Sequence, residues 1–197
     1  MIKRLHMTGK EFLEKILSGE RDFSRISLEN QDLAQDEAYQ EVIEQLQARG
    51  QKRAKKEPLL FRKSKLKKVK APKFYAPYAD FYLADLSYGN FIGSYFKEAN
   101  FPEAKLIQTN LFSANLKGAD FFKADLYHAI LQGADIKAAR FSRADLSKTD
   151  LRNVQNLSYA RDLPWAIFNH TLLSSEKEEA IIEDLRQKAT YFEIRFK

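Results

Sequence analysis

The chain has 197 residues, enough for one domain with a substantial core and short appendages. It contains no cysteine, which excludes disulfides, thiolate metal sites and thiol nucleophiles. The net charge is +6, and the excess lies in residues 1–73, which carry 18 basic and 11 acidic side chains. Because no uninterrupted apolar segment has the length of a signal peptide or a membrane span, we expect a cytoplasmic protein without a membrane contact.

A short helix is predicted near the N-terminus. Thr8 and Glu11 form a capping box, and Gly19 can end the helix. The apolar residues of this segment recur at helical spacing and are Phe12, Leu13, Ile16 and Leu17. We expect this helix to cover one end of the structure that follows.

Phe23, Leu28 and Leu33 come next, at a spacing of five residues. We interpret residues 21–33 as a first fragment of the coil predicted below; the alternative is an ordinary loop. An insertion at about 34–58 is predicted to be helical, because its apolar residues are spaced for one helical face. These residues are Ala38, Tyr39, Val42, Ile43 and Leu46.

Residues 49–73 form the most basic segment, with Glu57 the one acidic residue among twelve basic ones. Such a density of positive charge attracts phosphate groups or acidic protein surfaces. We treat the segment as a candidate site for an acidic protein or a nucleic acid; the alternative is a solvated loop and the outer face of an early coil turn. The basic residues are Arg49, Lys52, Arg53, Lys55, Lys56, Arg62, Lys63, Lys65, Lys67, Lys68, Lys70 and Lys73.

A period of five residues dominates the middle of the chain. From Phe81 to Leu151 every fifth residue is Phe, Leu or Ile, fifteen times in succession, and a small residue stands two positions before each. Five residues rotate an α-helix by ~500°, so the period fits no helical face. An odd period also changes the face of a flat strand at every repeat, but it fits short extended segments separated by turns.

The same residue types recur at a spacing of twenty. One register holds Phe81, Phe101, Phe121 and Phe141, and the next holds Leu86, Leu106, Leu126 and Leu146. Twenty residues therefore make one turn with four sides, and successive turns stack ~4.8 Å apart. The predicted inward residues are Phe61, Leu66, Phe81, Leu86, Phe91, Phe96, Phe101, Leu106, Leu111, Leu116, Phe121, Leu126, Leu131, Ile136, Phe141, Leu146 and Leu151.

Counting back by twenty reaches Phe61 and Leu66, so the coil is predicted to begin near residue 59. Its first turn is imperfect, because Ala71 and Ala76 are too small to fill the core. We expect Phe74 to compensate.

The C-terminal segment is predicted to form a helix and a strand. Ser175 and Glu178 make a second capping box. The apolar residues that follow are Ala180, Ile181 and Leu185. The last residues alternate as in a strand, with Phe192, Ile194 and Phe196 on one face.

The motif Ala-Asp/Asn-Leu/Phe-X-X, as in residues 114–118, resembles the pentapeptide-repeat family. The resemblance covers residues 79–151 and implies a right-handed quadrilateral β-helix; the handedness comes from the resemblance alone. We predict an all-β solenoid with helical appendages, capped by short α-helices. Its parts are an N-terminal region (1–58), the β-helix (59–156) and a C-terminal cap (157–197). Members of the family often dimerise through C-terminal extensions, so the resemblance also predicts a homodimer.

Two surface features are weaker candidates. Lys97, Lys117 and Lys137 fall in one register, which predicts a column of lysines at ~4.8 Å spacing. Outward positions also carry apolar residues, which predict either a partner site or the place where the protein's own extensions dock. These are Tyr82, Tyr88, Ile92, Ile107, Phe112, Phe122 and Tyr127.

Signals for catalysis are poor. His6, His128 and His170 lie far apart in the sequence, and the many aspartates occupy turn positions, so we expect no catalytic residue, metal or cofactor. We therefore predict a non-enzymatic interaction or scaffold protein. The alternative, from the family, is a DNA mimic that protects gyrase from quinolones, which requires an acidic face. A structural role in a larger assembly is a third hypothesis.

Overall fold

A computed structural model describes residues 5–175, 180–184 and 187 of the chain. Its regular elements lie in the N-terminal part. They are β1 (Leu5–His6), α1 (Gly9–Leu17), β2 (Ile26–Ser27), α2 (Ala38–Ala48) and α3 (Gly50–Lys56). Short 3₁₀ helices occupy Leu33–Gln35, Leu157–Tyr159 and Leu163–Trp165.

The middle of the chain is a four-sided coil. Between residues 60 and 155, parallel β-bridges join residues twenty positions apart, one bridge every five residues, beginning with Leu60 and Asp80. Four bridges therefore complete each turn. We number the sides by the second full turn: side 1 contains Phe81, side 2 Leu86, side 3 Phe91 and side 4 Phe96.

Each corner of the coil is a tight turn. The N–H of Ala84 donates to the carbonyl of Phe81 (2.9 Å), and between them Leu83 has a φ of 56°. A positive φ at the third residue is the form of a type II turn. This geometry repeats at every corner of the regular coil, where the third residue is Gly at only three positions, Gly93, Gly118 and Gly133.

Aspartate and asparagine hold these corners. Ten of them accept a hydrogen bond from the backbone N–H two residues later, as Asp80 Oδ1 does from Tyr82 at 2.9 Å. Asn100 occupies the same position, but the residue two positions later is Pro102, which has no N–H to donate. The repeated Asp and Asn thus have a structural role in the turns.

The core consists of stacked layers of like side chains. On side 1 the rings of Phe61, Phe81, Phe101, Phe121 and Phe141 lie 4.8–5.1 Å apart with planes within 6° of parallel. All seventeen inward residues named above are at most 4% exposed.

Residues 21–33 lie on the turn before Leu60. Asp22, Ser27 and Asp32 bridge Leu60, Lys65 and Lys70, each 38 positions later. The spacing between bridged residues is 38 rather than twenty because α2 and α3 are inserted in place of side 4 of this turn. The ring of Phe23 extends the aromatic stack, 5.8 Å from Phe61.

Helix α1 covers the N-terminal end of the coil. Phe12 packs edge-on against Phe23 at 4.8 Å, and Leu13 and Ile16 are fully buried. The capping box forms, with Thr8 Oγ1 accepting from the N–H of Glu11 at 3.2 Å. Strand β1 pairs with β2 in parallel beside this helix.

Helix α2 packs beside α1 and the early turns. Its inner face is Val42, Ile43 and Leu46. Tyr39 donates its hydroxyl to the carbonyl of Pro72 at 2.8 Å, and burial raises the pKa of Tyr39.

The coil continues past residue 156, the boundary predicted from the sequence. Arg140, Asp145 and Asp150 bridge Arg161, Ile167 and Leu172, at steps of 21 or 22 residues. Two 3₁₀ helices add the extra residues, which hide the register in the sequence. Residues 180–184 are helical. Glu178, Leu185 and the strand predicted at 192–196 lie outside the described residues.

Candidate functional site

The basic segment does not form one patch. Lys52, Arg53, Lys55 and Lys56 lie on α3, and Arg49 precedes it. The rest follow the outside of the coil from side to side. Arg62 and Lys63 lie on side 1, Lys65, Lys67 and Lys68 on side 2, and Lys70 and Lys73 on side 3.

Part of this charge is neutralised within the protein. Arg49 and Arg53 both contact Glu57, at 3.1 and 3.2 Å, and the hydrogen bond from Arg53 lowers the pKa of the Glu57 carboxyl. Arg62 pairs with Asp80 at 2.6 Å. Lys70 pairs with Asp32 at 3.0 Å.

Four lysines without such a partner lie along side 2, from its corner with side 1 at Lys63 to its corner with side 3 at Lys67 and Lys68. We call Lys63, Lys65, Lys67 and Lys68 the N-terminal basic corner. Among the described residues none of the four forms an ion pair, and Lys67 lies over the ring of Tyr88 at 5.2 Å. An open cleft of about 580 Å³ adjoins Lys63, the one lysine of the four that lines it. Its other lining residues are Asp22, Ser24, Arg25, Arg62 and Tyr82.

Helix α3 is docked on side 4 through Gln51. The side-chain amide nitrogen of Gln51 donates to the Tyr95 hydroxyl at 2.8 Å, and the amide oxygen of Gln51 accepts from Lys97 Nζ at 2.9 Å. Tyr95 in turn stacks on Tyr75 at 4.9 Å. The basic helix therefore lies at the head of the predicted lysine column.

The three lysines of that column have three different partners. Lys97 contacts the Gln51 amide, Lys117 pairs with Asp135 at 2.9 Å, and Lys137 lies over the Tyr159 ring at 5.6 Å. Burial raises the pKa of Asp135, but hydrogen bonds from Lys117, the Lys137 N–H and Asn156 outweigh it and lower that pKa overall.

A groove of about 390 Å³ runs beside this column, at the corner between sides 4 and 1. Arg140 and Arg161 line its other wall, and Gly118 and Ala138 lie at the corner between the walls. The groove joins residues from the second full turn, which contains Lys97, to the last turn, which contains Arg161. No sequence motif marks Arg161 as part of it, because the last turn breaks the period of twenty.

The outward apolar residues are spread over three sides rather than forming one band. Tyr82 and Phe122 are on side 1, Tyr88, Ile107 and Tyr127 on side 2, and Ile92 and Phe112 on side 3. The most exposed of them are Tyr82, Tyr88 and Phe112, at 36–45%. Leu83, at 39%, is a further exposed apolar residue of the coil.

The histidines are not brought together. His6 lies in β1, His128 on side 2 and His170 near the last bridge. In the part of the chain that the structure describes, no cluster of His, Asp or Glu has the arrangement of a metal site. None of the helices described there has both the length and the apolar character to cross a membrane.

Comparison with known proteins identifies the repeat. The family model of pentapeptide repeats (8 copies) matches residues 79–118 and 119–154. No curated protein sequence matches the chain.

Solved structures of repeat proteins resemble this fold. HetL, a pentapeptide repeat protein involved in heterocyst differentiation regulation from the cyanobacterium Nostoc sp. strain PCC 7120, is 22% identical over 84% of this chain, with a TM-score of 0.57. The match spans 64% of HetL, less than two thirds of that chain. At this identity it shows the fold alone, a right-handed quadrilateral β-helix.

Two further structures match less well. A pentapeptide repeat protein from the Arabidopsis thaliana thylakoid lumen is 33% identical over 44% of this chain and 59% of its own, with a TM-score of 0.40. QnrB1, a plasmid-mediated fluoroquinolone resistance protein, is 16% identical over 83% of this chain and 87% of its own, with a TM-score of 0.33.

Proposed function

The chain belongs to the pentapeptide-repeat family, as its motif predicted, and from this premise we propose that it is a non-enzymatic interaction protein. Its rigid coil presents the N-terminal basic corner to an acidic macromolecular partner. The observation that carries this proposal is the corner itself, four lysines that no carboxylate of the described residues pairs with.

The backbone under this corner is fixed on both sides. Lys65 bridges Ser27 on one turn and Asp85 on the next, and the N–H groups of Lys63 and Lys68 donate to the carbonyls of Tyr82 and Ser87 at 2.8 and 2.9 Å. Binding therefore orders only side chains, which lowers its entropic cost. A preorganised row of positive charge also raises the rate of encounter with an acidic surface.

The alternative function, mimicry of DNA toward gyrase, needs a face of regularly spaced negative charge. The sides of this coil carry both signs instead. On side 2, Lys105 bridges Asp85 and Asp125, and the lysine column occupies side 4. We rank this function second, and a gyrase supercoiling assay with and without quinolone tests it: no effect of the protein excludes it.

Affinity capture from native lysate tests the first proposal. The wild-type protein is compared with K63Q/K65Q/K67Q/K68Q, which keeps the side-chain stems and removes four charges. The control, K105Q/K123Q/R143Q/K148Q, removes four charges further along the same two sides. We expect a partner that the wild type and the control retain and that the corner variant loses. Equal retention by the corner variant would contradict the proposal.

A further inference from the structure

The groove between sides 4 and 1 is a second charged surface, separate from the N-terminal basic corner. Five of its lining side chains are cationic, Lys97, Lys117, Lys137, Arg140 and Arg161, and one is acidic, Glu98. We call this surface the basic groove. It combines the lysine column of the sequence with two arginines that the coil brings beside it.

Two small residues, Gly118 and Ala138, line the floor of the groove. Glu98, Gly118 and Ala138 occupy the same corner position in successive turns. Their N–H groups donate to the carbonyls of Lys117, Lys137 and Tyr159 at 2.7, 2.9 and 3.1 Å, so Tyr159 takes the next place in the lysine column. Gly118 has a φ of +67°, and a Cβ there would approach Glu98 Cγ at 3.0 Å. A larger side chain at Gly118 would therefore press on its neighbour in the preceding turn.

The internal partners of these cations leave charge unbalanced. Arg140 contacts Asp120 and Asp162 at 3.7 and 3.3 Å, and Lys117 has Asp135. Lys97, Lys137 and Arg161 have no carboxylate partner among the described residues. Since turns stack ~4.8 Å apart, the coil holds like charges close together, and an external anion would offset their repulsion.

An exposed aromatic residue follows the lysine column at the last turn. Tyr159 is 63% exposed and lies next to Lys137, and Trp165, 42% exposed, follows on the same turn. A positive groove beside exposed rings is the arrangement by which proteins bind single strands, with lysine and arginine on phosphates and bases stacked on the rings. An acidic peptide would use the charges but not the ring faces.

We propose that the basic groove binds single-stranded nucleic acid, with phosphates on Lys97, Lys117, Lys137 and Arg161 and a base stacked on Tyr159. From Lys97 to Arg161 the groove spans three turn spacings, about 14 Å, which accommodates a few nucleotides. This site goes beyond the proposed function, because it uses none of the four lysines of the N-terminal basic corner.

Fluorescence anisotropy with a labelled oligothymidylate of about twelve nucleotides measures this binding in the protein of 197 residues. For four phosphate contacts, the logarithm of affinity should fall with the logarithm of salt at a slope of about −3. The variant K117Q/K137Q/R161Q should lose at least about tenfold in affinity and reduce the slope by about 2. The matched control K105Q/K123Q/K148Q, which lies outside both the groove and the N-terminal basic corner, should keep the affinity within about twofold and the slope unchanged.

The aromatic contact has its own signature. Tyr159→Leu should weaken binding by about tenfold without changing the salt slope, because stacking releases no counterions. Thermal denaturation checks that each variant is folded. If the triple variant is not, K137Q and R161Q alone, both at exposed positions, should each reduce the slope by about 0.7.

Three results would overturn the proposal. The first is an absence of binding at about 50 mM salt, and the second is a salt slope that the groove substitutions leave unchanged. The third is that polyglutamate displaces the oligonucleotide equally well from the wild-type protein and from Tyr159→Leu. The last result would assign the groove to acidic proteins. None of the three bears on the N-terminal basic corner, which the affinity capture tests separately.

Discussion

The regular coil at residues 79–155 and the turn before it fill the same core in opposite ways. In the regular coil a small residue precedes a large inward residue by two positions, as Ala84 precedes Leu86. At residues 69–76 the order is reversed, with Val69 before Ala71 and Phe74 before Ala76, and all four are buried. On these sides one large and one small inward side chain fill the core together, in either order.

The next turn adapts to this reversal. Phe91 and Phe96 occupy sides 3 and 4, one turn after Ala71 and Ala76. The following turn has the smaller Leu111 and Leu116 at these positions. A large ring thus lies beside each small side chain. An apolar void of about 20 Å³ remains near Ala71, so the exchange of volume between the two turns is incomplete.

The largest effect is expected in the regular coil. Phe101 is fully buried and stacks on Phe81 and Phe121 at 4.8 and 5.0 Å. Phe101→Ala should lower the free energy of unfolding by about 4 kcal/mol, since the stacked rings limit collapse of the cavity. Phe74→Ala should cost less, about 3 kcal/mol, because its one ring contact is at 6.4 Å, to Phe61.

Equilibrium urea denaturation measures both changes, and Phe112→Ala at an exposed position is the control. If Phe74→Ala costs more than Phe101→Ala, the reversed turn is packed more tightly than the regular one, and the comparison fails.

The boundary between the two regions should give the next effect. A Cβ on Gly89 would lie 2.6 Å from Phe91 Cε2 and 2.9 Å from the Leu86 carbonyl oxygen. Gly89→Ala should therefore destabilise the protein by about 2 kcal/mol. Phe91→Leu, the residue type of the later turns at this position, should restore most of the loss in the double variant. Urea denaturation midpoints measure the stability of the double variant. If it is no more stable than Gly89→Ala alone, the contact with the Leu86 carbonyl, and not the Phe91 ring, causes the destabilisation.

A smaller effect is expected at the N-terminal cap. Thr8→Ala removes the acceptor for the N–H of Glu11 and should lower the stability by about 1 kcal/mol. Thr8→Ser keeps the acceptor and should be close to wild type. Equal losses in the two variants, measured by thermal denaturation, would show that the methyl group and not the capping bond stabilises α1.

The smallest effect is a pH dependence in the last regular turn. The pKa of Asp135 is lowered below its ordinary value of 3.8, so its ionised form stabilises the folded state. That contribution is complete above the ordinary value and is lost as the pH falls through the lower, folded-state pKa. Asp135→Asn keeps an acceptor for the Lys137 N–H, so the difference from wild type should shrink below about pH 4.

Melting temperatures of both proteins between about pH 7 and pH 3 check this prediction. In a Lys117→Gln background the same substitution should have less effect at every pH, because Lys117 supplies the ion pair. A difference that grows on acidification would reverse the sign and contradict it.

Much of the coil could be predicted because one rule repeats. The spacing of twenty indicates four sides, and the apolar residues at a spacing of five in 21–33 indicate the early turn. The end near residue 172 could not be predicted, because one or two extra residues per turn remove Arg161 and Ile167 from the register. The small volumes of Ala71 and Ala76 indicated that Phe74 fills the core in their place. They did not indicate that the order of large and small residues is reversed at Phe74 and Ala76.

The functional surfaces were harder to predict than the fold. The basic segment is continuous in sequence, but the coil distributes it over three sides and a helix, so only part of it remains one surface. The basic groove has the opposite character: Lys97 and Arg161 are 64 residues apart in sequence and line the same groove at one corner of the coil. Only the number of residues in the last turn decides that Arg161 lies there.

The helices α2 and α3 replace one side of one turn, yet the chain leaves at Asp32 and is back in register at Leu60. The ladder on either side keeps its pitch, since each turn is fixed by bonds to its neighbours and not by the length of chain within it. This side of the turn is therefore a position at which a foreign segment can be inserted. A peptide or small domain grafted there would be displayed at one end of a rigid rod, with its orientation set by the coil.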